Sequence, residues 1–288
     1  IFGDPVFTYS YREAVIDGWL IDHEPPHRII TALSEDGMTW QPGDDVAYYD
    51  PKTGQLDLVH APDEIQIDVE QFNRRVITEE FNRVVCEELA NHIDPTLPGK
   101  TLIFCVNDAH ADLVVQKLKE AFTNLYGSVD DDEVVKITGA ADKPLELIRR
   151  YKNEVSPKVA VTVDLLTTGI DVPAICNLVF IRRVKSRILY AQMLGRATRR
   201  CDDIWKEIFQ IFDAVNLYET LAAVSDMKPV VANPKISFTQ LMDELETVTE
   251  PQAVTEILDQ ITAKLQRKRR HLSDTSRDTL EGLAGMPV

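Results

Sequence analysis

Residues 158–200 read KVAVTVDLLTTGIDVPAICNLVFIRRVKSRILYAQMLGRATRR. Lys158–Val163 and Leu178–Ile181 are short, nearly continuous apolar runs, and Ser186 stands where it can cap a helix running to about Arg199. A strand, a crossover, a second strand and then a helix is the order of a parallel sheet buried on both faces. The rhythm continues outward. Thr101–Val106 reads as a strand, and Asp108 as the cap of a helix through Phe122. Val134–Ile137 is another strand, Pro144–Tyr151 a short helix with proline in its first turn, and Ile208–Phe212 closes the series. The expected fold class is therefore α/β, a parallel sheet with helices on both faces over residues 99–215.

The flanks follow other rules. Ser10 can cap a short helix that ends near Gly18. Thr31–His60 reads as β structure, with turn signals at Glu35-Asp36-Gly37, Pro42-Gly43-Asp44 and Asp50–Gly54 between runs such as Val46–Tyr49 and Leu56–Val59. Val69–Ile93 carries apolar residues at helical spacing. These features make residues 1–98 an α+β segment. No strand is evident beyond Asn216. Phe238–Thr247, capped by Ser237, and Val254–His271 read as two helices, so residues 216–288 form a helical region. The stripe Val254, Ile257, Leu258, Ile261, Leu265 needs an apolar partner, either another subunit or a neighbouring domain.

The 288 residues are 44% hydrophobic and 27% charged, with a formal net charge of -16. That mix excludes collagen-like, mucin-like and disordered chains. No apolar run is long enough for a membrane helix, and no secretory signal is legible. Cys86, Cys105, Cys176 and Cys201 lie far apart, and neither they nor the histidines show ligand spacing. No metal site is expected on this chain, and the cysteines fit a reducing cytoplasm. The chain opens on Ile1 rather than Met, so a fragment of a longer protein is expected. The charge is uneven. Residues 1–100 carry 20 acidic and 7 basic side chains, whereas residues 101–200 carry 12 acidic and 15 basic. Arg182–Arg200 holds Arg182, Arg183, Lys185, Arg187, Arg196, Arg199 and Arg200 with no acid among them, so one element faces anionic groups or solvent.

Two apparent nucleotide or metal motifs do not survive their context. Pro98-Gly99-Lys100-Thr101 ends like a phosphate-binding loop, but the required earlier glycine is Asp94. A helix precedes it and a strand follows, the reverse of the order that aims helix amides at phosphate. Asp130-Asp131-Asp132-Glu133 reads as a solvated acidic loop, and no Glu-x-Lys nuclease pattern occurs. The informative pair is Thr167-Thr168-Gly169-Ile170-Asp171-Val172-Pro173 and, twenty residues on, Gln192-x-x-Gly195-Arg196-x-x-Arg199. Thr167, Thr168 and Gly169 offer hydroxyls and an uncrowded amide to phosphate. Asp171 can accept from a ribose hydroxyl. Arg196 and Arg199, three apart, would share one helix face and clamp a phosphoryl group, and Gln192 would sit on the same side. Gly195 would let another backbone approach. Both segments are expected at the carboxyl edge of the sheet.

The pair resembles motifs V and VI of superfamily 2 helicases and translocases, in the second of two RecA-like motor lobes. Thr101–Val106 is similar to that lobe's motif IV, and Ile137-Thr138-Gly139 to the strand-end segment that follows. The closer resemblance is to the restriction (R, motor) subunit of type I restriction enzymes. It rests on Gly99–Ala111, Thr167–Pro173 and Tyr190–Arg199, with Phe209–Asp213 and, more weakly, Phe2–Gly18, which resembles the exit from the first lobe. The resemblance implies a P-loop NTPase-type second lobe at 99–215. It implies Arg196 and Arg199 as arginine fingers, and Gly169, Asp171 and Gln192 beside the nucleotide. Asn107, Thr138, Gly139, Thr167 and Thr168 would lie along double-stranded DNA. ATP and Mg2+ would be held mainly by the first lobe, whose motifs are not in this sequence, so these residues alone are expected neither to hydrolyse ATP nor to cut DNA. Methyltransferase and specificity subunits are the implied partners, in the cytoplasm of a bacterium or archaeon. Two other readings stay open: the second lobe of a repair or remodelling translocase, and a nucleic-acid-binding module without catalysis, whose basic helix would bind in a salt-dependent way.

Overall fold

The structure is a computed structural model that describes residues 7–29, 38–40, 45–49, 56–60, 65–67, 79–164, 170–184, 186–222 and 225–285. In chain order the elements are α1 (Tyr11–Ile16), β1 (Asp22–His23), β2 (His27–Arg28), β3 (Met38–Trp40), β4 (Asp45–Tyr49), β5 (Leu56–His60), β6 (Ile65–Ile67) and α2 (Glu79–His92). There follow β7 (Lys100–Phe104), α3 (Asp108–Tyr126), β8 (Val134–Lys136), α4 (Pro144–Asn153), β9 (Val159–Thr162), β10 (Ile175–Phe180) and α5 (Arg187–Leu194). The chain closes with β11 (Ile208–Asp213), α6 (Leu217–Ala222), α7 (Phe238–Thr247), α8 (Pro251–Lys268) and α9 (Asp274–Ala284). It divides into two compact units, residues 26–225 and residues 1–25 with 226–288.

In the larger unit β11, β10, β7, β9 and β8 lie side by side in that order, with β2 beside β11. All these pairings are parallel. Leu102 lies opposite Leu178, Ile103 opposite Val161 and Leu178 opposite Ile211. Every residue of β7 and β9 is buried. This accounts for their unbroken apolar runs: a parallel sheet needs crossover helices, and the helices cover both faces. On one face Phe81, Val85 and Leu89 of α2 meet Val114, Leu118 and Phe122 of α3 over Ile103 and Val161. Each such side chain contributes about 1.5–3 kcal/mol by leaving water. On the other, Phe104 stacks on Phe180 at 5.3 Å and Phe180 meets Tyr190 of α5 at 5.5 Å. The β character expected over 31–60 appears as two antiparallel pairs, β4 with β5 and β3 with β6. The turn signals between them, and residues 69–78 of the expected helix, lie outside the described residues.

Four local expectations need correction. The cap of α3 is Asn107, not Asp108: its Oδ1 accepts the His110 N–H at 2.7 Å, and the helix runs to Tyr126. The helix from Ser186 stops at Leu194, so Arg196 and Arg199 follow it rather than share its face. Beyond Gly195 the chain turns tightly, Arg196 N bonding to Met193 O and Ala197 N to Leu194 O. No other backbone nears Gly195, where an added Cβ would meet only its own turn, Ala191 O at 3.3 Å and Gln192 O at 3.5 Å. Finally, the smaller unit has a third C-terminal helix, α9, capped by Ser273.

In that smaller unit Ser10 and Glu13 form a reciprocal cap on α1. Tyr11 and Val15 pack with Val230, Val231 and Ala263. Asp22 is 1% exposed. It accepts the Val230 and Val231 amides at 3.1 Å and an Arg267 N–H at 2.9 Å, and Arg12 pairs with Asp259 at 2.7 Å. The expected stripe on α8 is split, with Ile257 buried but Leu258 and Leu265 exposed. Arg267 sits in the last turn of α8 as the helix dipole favours. No described helix is long and apolar enough to cross a membrane.

Candidate functional site

A parallel strand must start at the edge opposite the one where its predecessor ended. After β9 the chain therefore returns through Ile170–Pro173 before β10 begins at Ile175. By Pro173 the Asp171 segment has reached the amino-terminal edge: the adjacent Ala174 O accepts the amide of Lys100, the first residue of β7. Helix α5 runs the same way back and delivers Arg196–Arg199 there. The two segments do meet, at the amino-terminal side rather than the carboxyl edge.

Their junction is built on a residue that sequence reading passed over. Lys206, 3% exposed, donates from Nζ to Pro173 O and Ala197 O at 2.8 Å and to Arg199 O at 2.9 Å. One ammonium thus ties both segments together and takes the carbonyls of Ala197 and Arg199. Burial pulls its pKa down to about 8, while three acceptors hold the charged form. Two contacts reinforce the junction. Arg196 donates from Nη1 to Ile170 O at 2.7 Å, and Arg199 stands 3.8 Å from the Asp171 carboxylate. Arg196 is half-buried, and burial and the neighbouring Arg199 lower its pKa. Its Nε is buried with no hydrogen-bond partner among the described residues. Arg199 is 58% exposed in its side chain and Asp171 50%, so this loose pair is easily exchanged for another anion. Gln192 is exposed on α5. The residues therefore offer an anion one held guanidinium with a spare donor and one exposed guanidinium only loosely paired with Asp171.

The carboxyl edge holds a second group. Asn107, Thr138 and Gly139 follow β7 and β8 there. Asn107 spends its oxygen on the helix cap, and its Nδ2 is buried with no partner among the described residues. The Thr138 hydroxyl donates to Asp108 Oδ1, and Lys136 Nζ reaches the other oxygen at 2.7 Å. Lys136 and Thr138 hold Asp108 below its usual carboxylate range. Thr138 is therefore committed inside the fold, and Gly139 is the exposed member, with open space where a Cβ would stand. Arg182 braces the edge, donating to Val163 O at 3.2 Å and pairing with Asp164 at 2.9 Å. Thr167, Thr168 and Gly169 lie outside the described residues.

The phosphate-loop look-alike is structural. Gly99-Lys100 leads into β7, and Lys100 Nζ donates to the carbonyls of Glu154, Val155 and Pro157 at 2.7–3.2 Å. In the acidic loop Asp131 faces Lys119 and Asp132 pairs with Arg150.

This parallel α/β sheet, with an arginine-bearing turn locked to the preceding crossover, carries a helicase C-terminal domain. Residues 80–201 match the helicase conserved C-terminal domain family. The chain is 46% identical over 280 residues to the Type I restriction enzyme EcoKI endonuclease subunit of Escherichia coli K12, covering 93% of this chain and 24% of that one. It is 27% identical over 270 residues to the EcoAI endonuclease subunit of Escherichia coli, covering 87% of this chain and 31% of that one. A fragment structure assigned to the HsdR subunit of a type I restriction enzyme from Vibrio vulnificus superposes with a TM-score of 0.57 at 25% identity, covering 79% of this chain and 39% of that one. The chain belongs to the family of type I restriction-enzyme endonuclease subunits and spans about a quarter to a third of the length of these two relatives.

Proposed function

We propose that this chain is the trailing half of an ATP-dependent motor that moves double-stranded DNA in a type I restriction enzyme. The observation that carries this reading is the junction at Lys206, which fixes the Asp171 and Arg199 segments together while leaving the Arg199 guanidinium exposed. Domain limits of 1–98, 99–215 and 216–288 belong to the proposal: a link from the first lobe, the second lobe, and a helical region that docks a partner.

The nucleotide's place is the amino-terminal side of the lobe. Arg196, with its unpartnered Nε, and Arg199 are suited to phosphate oxygens, and Asp171 to a ribose hydroxyl. Gly169 and Gln192 complete that wall. Magnesium bound with ATP neutralises phosphate charge, and no described residue at this wall other than Asp171 is a carboxylate paired to the arginines, so the metal belongs to the facing lobe. Arg199 exchanges Asp171 for the transferring phosphoryl group when the lobes close. Arginine fingers of this kind contribute on the order of 10³–10⁵ in rate. DNA would run along the carboxyl edge, against Asn107 and the exposed Gly139, with Thr138 behind them holding Asp108, and the resemblance assigns Thr167 and Thr168 to the same contact. Contacts of that type go to the backbone and carry no base readout, so target choice falls to a specificity subunit, with a methyltransferase subunit as the third component. The complex works in the bacterial cytoplasm.

The test uses the intact endonuclease subunit assembled with its partners. Replacing Arg196 and Arg199 together by alanine should abolish DNA-stimulated ATP hydrolysis while ATP binding, measured by equilibrium dialysis, stays within a few-fold. Unchanged turnover refutes the nucleotide-wall assignment.

A further inference from the structure

Far from the arginines, the end of α2 carries Glu88 and His92 one helical turn apart, and β2 lays His27 beside them. The His27 and His92 rings are 4.2 Å apart between centroids, and both lean on Phe212, at 5.6 and 5.8 Å. His92 Nε2 lies 3.0 Å from Glu88 Oε1, and Asn91 Nδ2 donates to the other Glu88 oxygen at 3.4 Å. One ligand-type atom from each of His27, Glu88 and His92 falls within 4.8 Å of the others. Both histidines are exposed and Glu88 is half-buried, so an ion can enter from solvent.

We propose that His27, Glu88 and His92 form a binding site for one divalent transition ion of the zinc class, which fastens β2 to α2. Two imidazoles and a carboxylate are a borderline donor set that suits zinc-like ions. Mg2+ and Ca2+ prefer sites made wholly of oxygen. Zinc sits about 2.0–2.2 Å from such donors, which sets them roughly 3.4 Å apart. The present spread closes by rotation of surface side chains, without backbone movement. The fourth position faces solvent. Two surrounding features favour the ion. Asn91 orients the carboxylate as an outer partner. His92 lies in the last turn of α2, where the helix dipole attracts positive charge. Sequence spacing could not show the site, because β2 and α2 come together only through the sheet.

The test takes the full chain, stripped with a chelator, and titrates it with Zn2+ by calorimetry and with Co2+ by visible absorption. The result expected is one equivalent bound, not displaced by excess Mg2+, with cobalt bands lacking thiolate charge transfer. His27→Ala and His92→Ala should each weaken binding by about tenfold or more. Glu88→Gln, which keeps the side-chain shape, should also weaken it, and far-UV circular dichroism should show each variant folded. A Zn2+-dependent rise in Tm, present in the parent and lost in the variants, is the second readout. No saturable binding, binding unchanged by the histidine variants, or a thiolate band assigning the ion to Cys176 and Cys201 overturns the proposal.

Discussion

Lys206→Met keeps the length of the side chain and deletes the ammonium that bonds Pro173, Ala197 and Arg199. Two opposing effects set the outcome. Hydrogen bonds to a charged donor are worth about 1.5–3 kcal/mol each, so the three together represent about 4–9 kcal/mol. Against this, burial lowers the lysine from its usual 10.5 to about 8, which is a cost of about 3 kcal/mol that methionine does not bear. Three carbonyls left without a donor outweigh the relief, and the variant should lose about 1–6 kcal/mol in urea unfolding followed by circular dichroism. The same residue gives a pH signature. Because its folded pKa lies below the unfolded one, the unfolded chain binds more protons between about pH 8 and 10.5. Lys206 therefore contributes stability that rises with pH there, by about 1.4 kcal/mol per pH unit above 8. Cys86, Cys105 and Cys176, whose thiol pKa values burial raises, pull the other way once the unfolded thiols ionise, so the Lys206 contribution is read as the difference between the parent and Lys206→Met at each pH. The variant keeps the part due to Lys100, whose pKa is also pulled down to about 8 by burial. A variant as stable as the parent, with the same pH slope, would show that Lys206 does not hold the two segments.

Other predictions follow from buried polar groups. His110 is fully buried and neutral, its Nδ1 taking the Val106 amide at 3.2 Å and its Nε2 donating to Asn82 at 2.8 Å. Burial depresses its pKa to about 3, so stability should fall as pH drops from about 6.5 toward 3, by up to about 4–5 kcal/mol, and His110→Gln should remove most of that slope in urea melts at pH 7, 5 and 4. Asp22→Asn halves the acceptors offered to Val230, Val231 and Arg267 and strands the guanidinium. It should cost about 3 kcal/mol, read as a lower Tm of the smaller unit, and an unchanged melt would refute that role.

How much was legible follows from which forces act locally. The strands of the sheet could be read because Leu102–Phe104 of β7 and Val159–Val161 of β9 are unbroken apolar runs, and the helices because Ser10, Ser186 and Ser237 cap them by local hydrogen bonds. The pairing of the Asp171 and Arg199 segments was also legible, since motif and crossover bring them together. Their edge was not. It depends on where Ile170–Pro173 returns, a matter of sheet topology. The early end of α5 was hidden for the same reason: Lys206, seven residues beyond Arg199, takes carbonyls that a longer helix would have used. Asn107 displaced Asp108 as a cap because Asp108 serves Lys136 and Thr138 across the sheet edge. Two helices were missed: the short α6, and α9, which had a readable signal in Ser273-Asp274, a cap followed by an acidic first turn.

The account rests on Arg199 reaching across to a nucleotide held by a facing lobe. The most direct measurement is a structure of the intact endonuclease subunit with a transition-state mimic of ATP bound. The account predicts the Arg199 guanidinium at about 2.7–2.9 Å from the phosphoryl oxygens, with Lys206 still bonded to the three carbonyls. Arg199 remaining beside Asp171 and turned away from the nucleotide would contradict it.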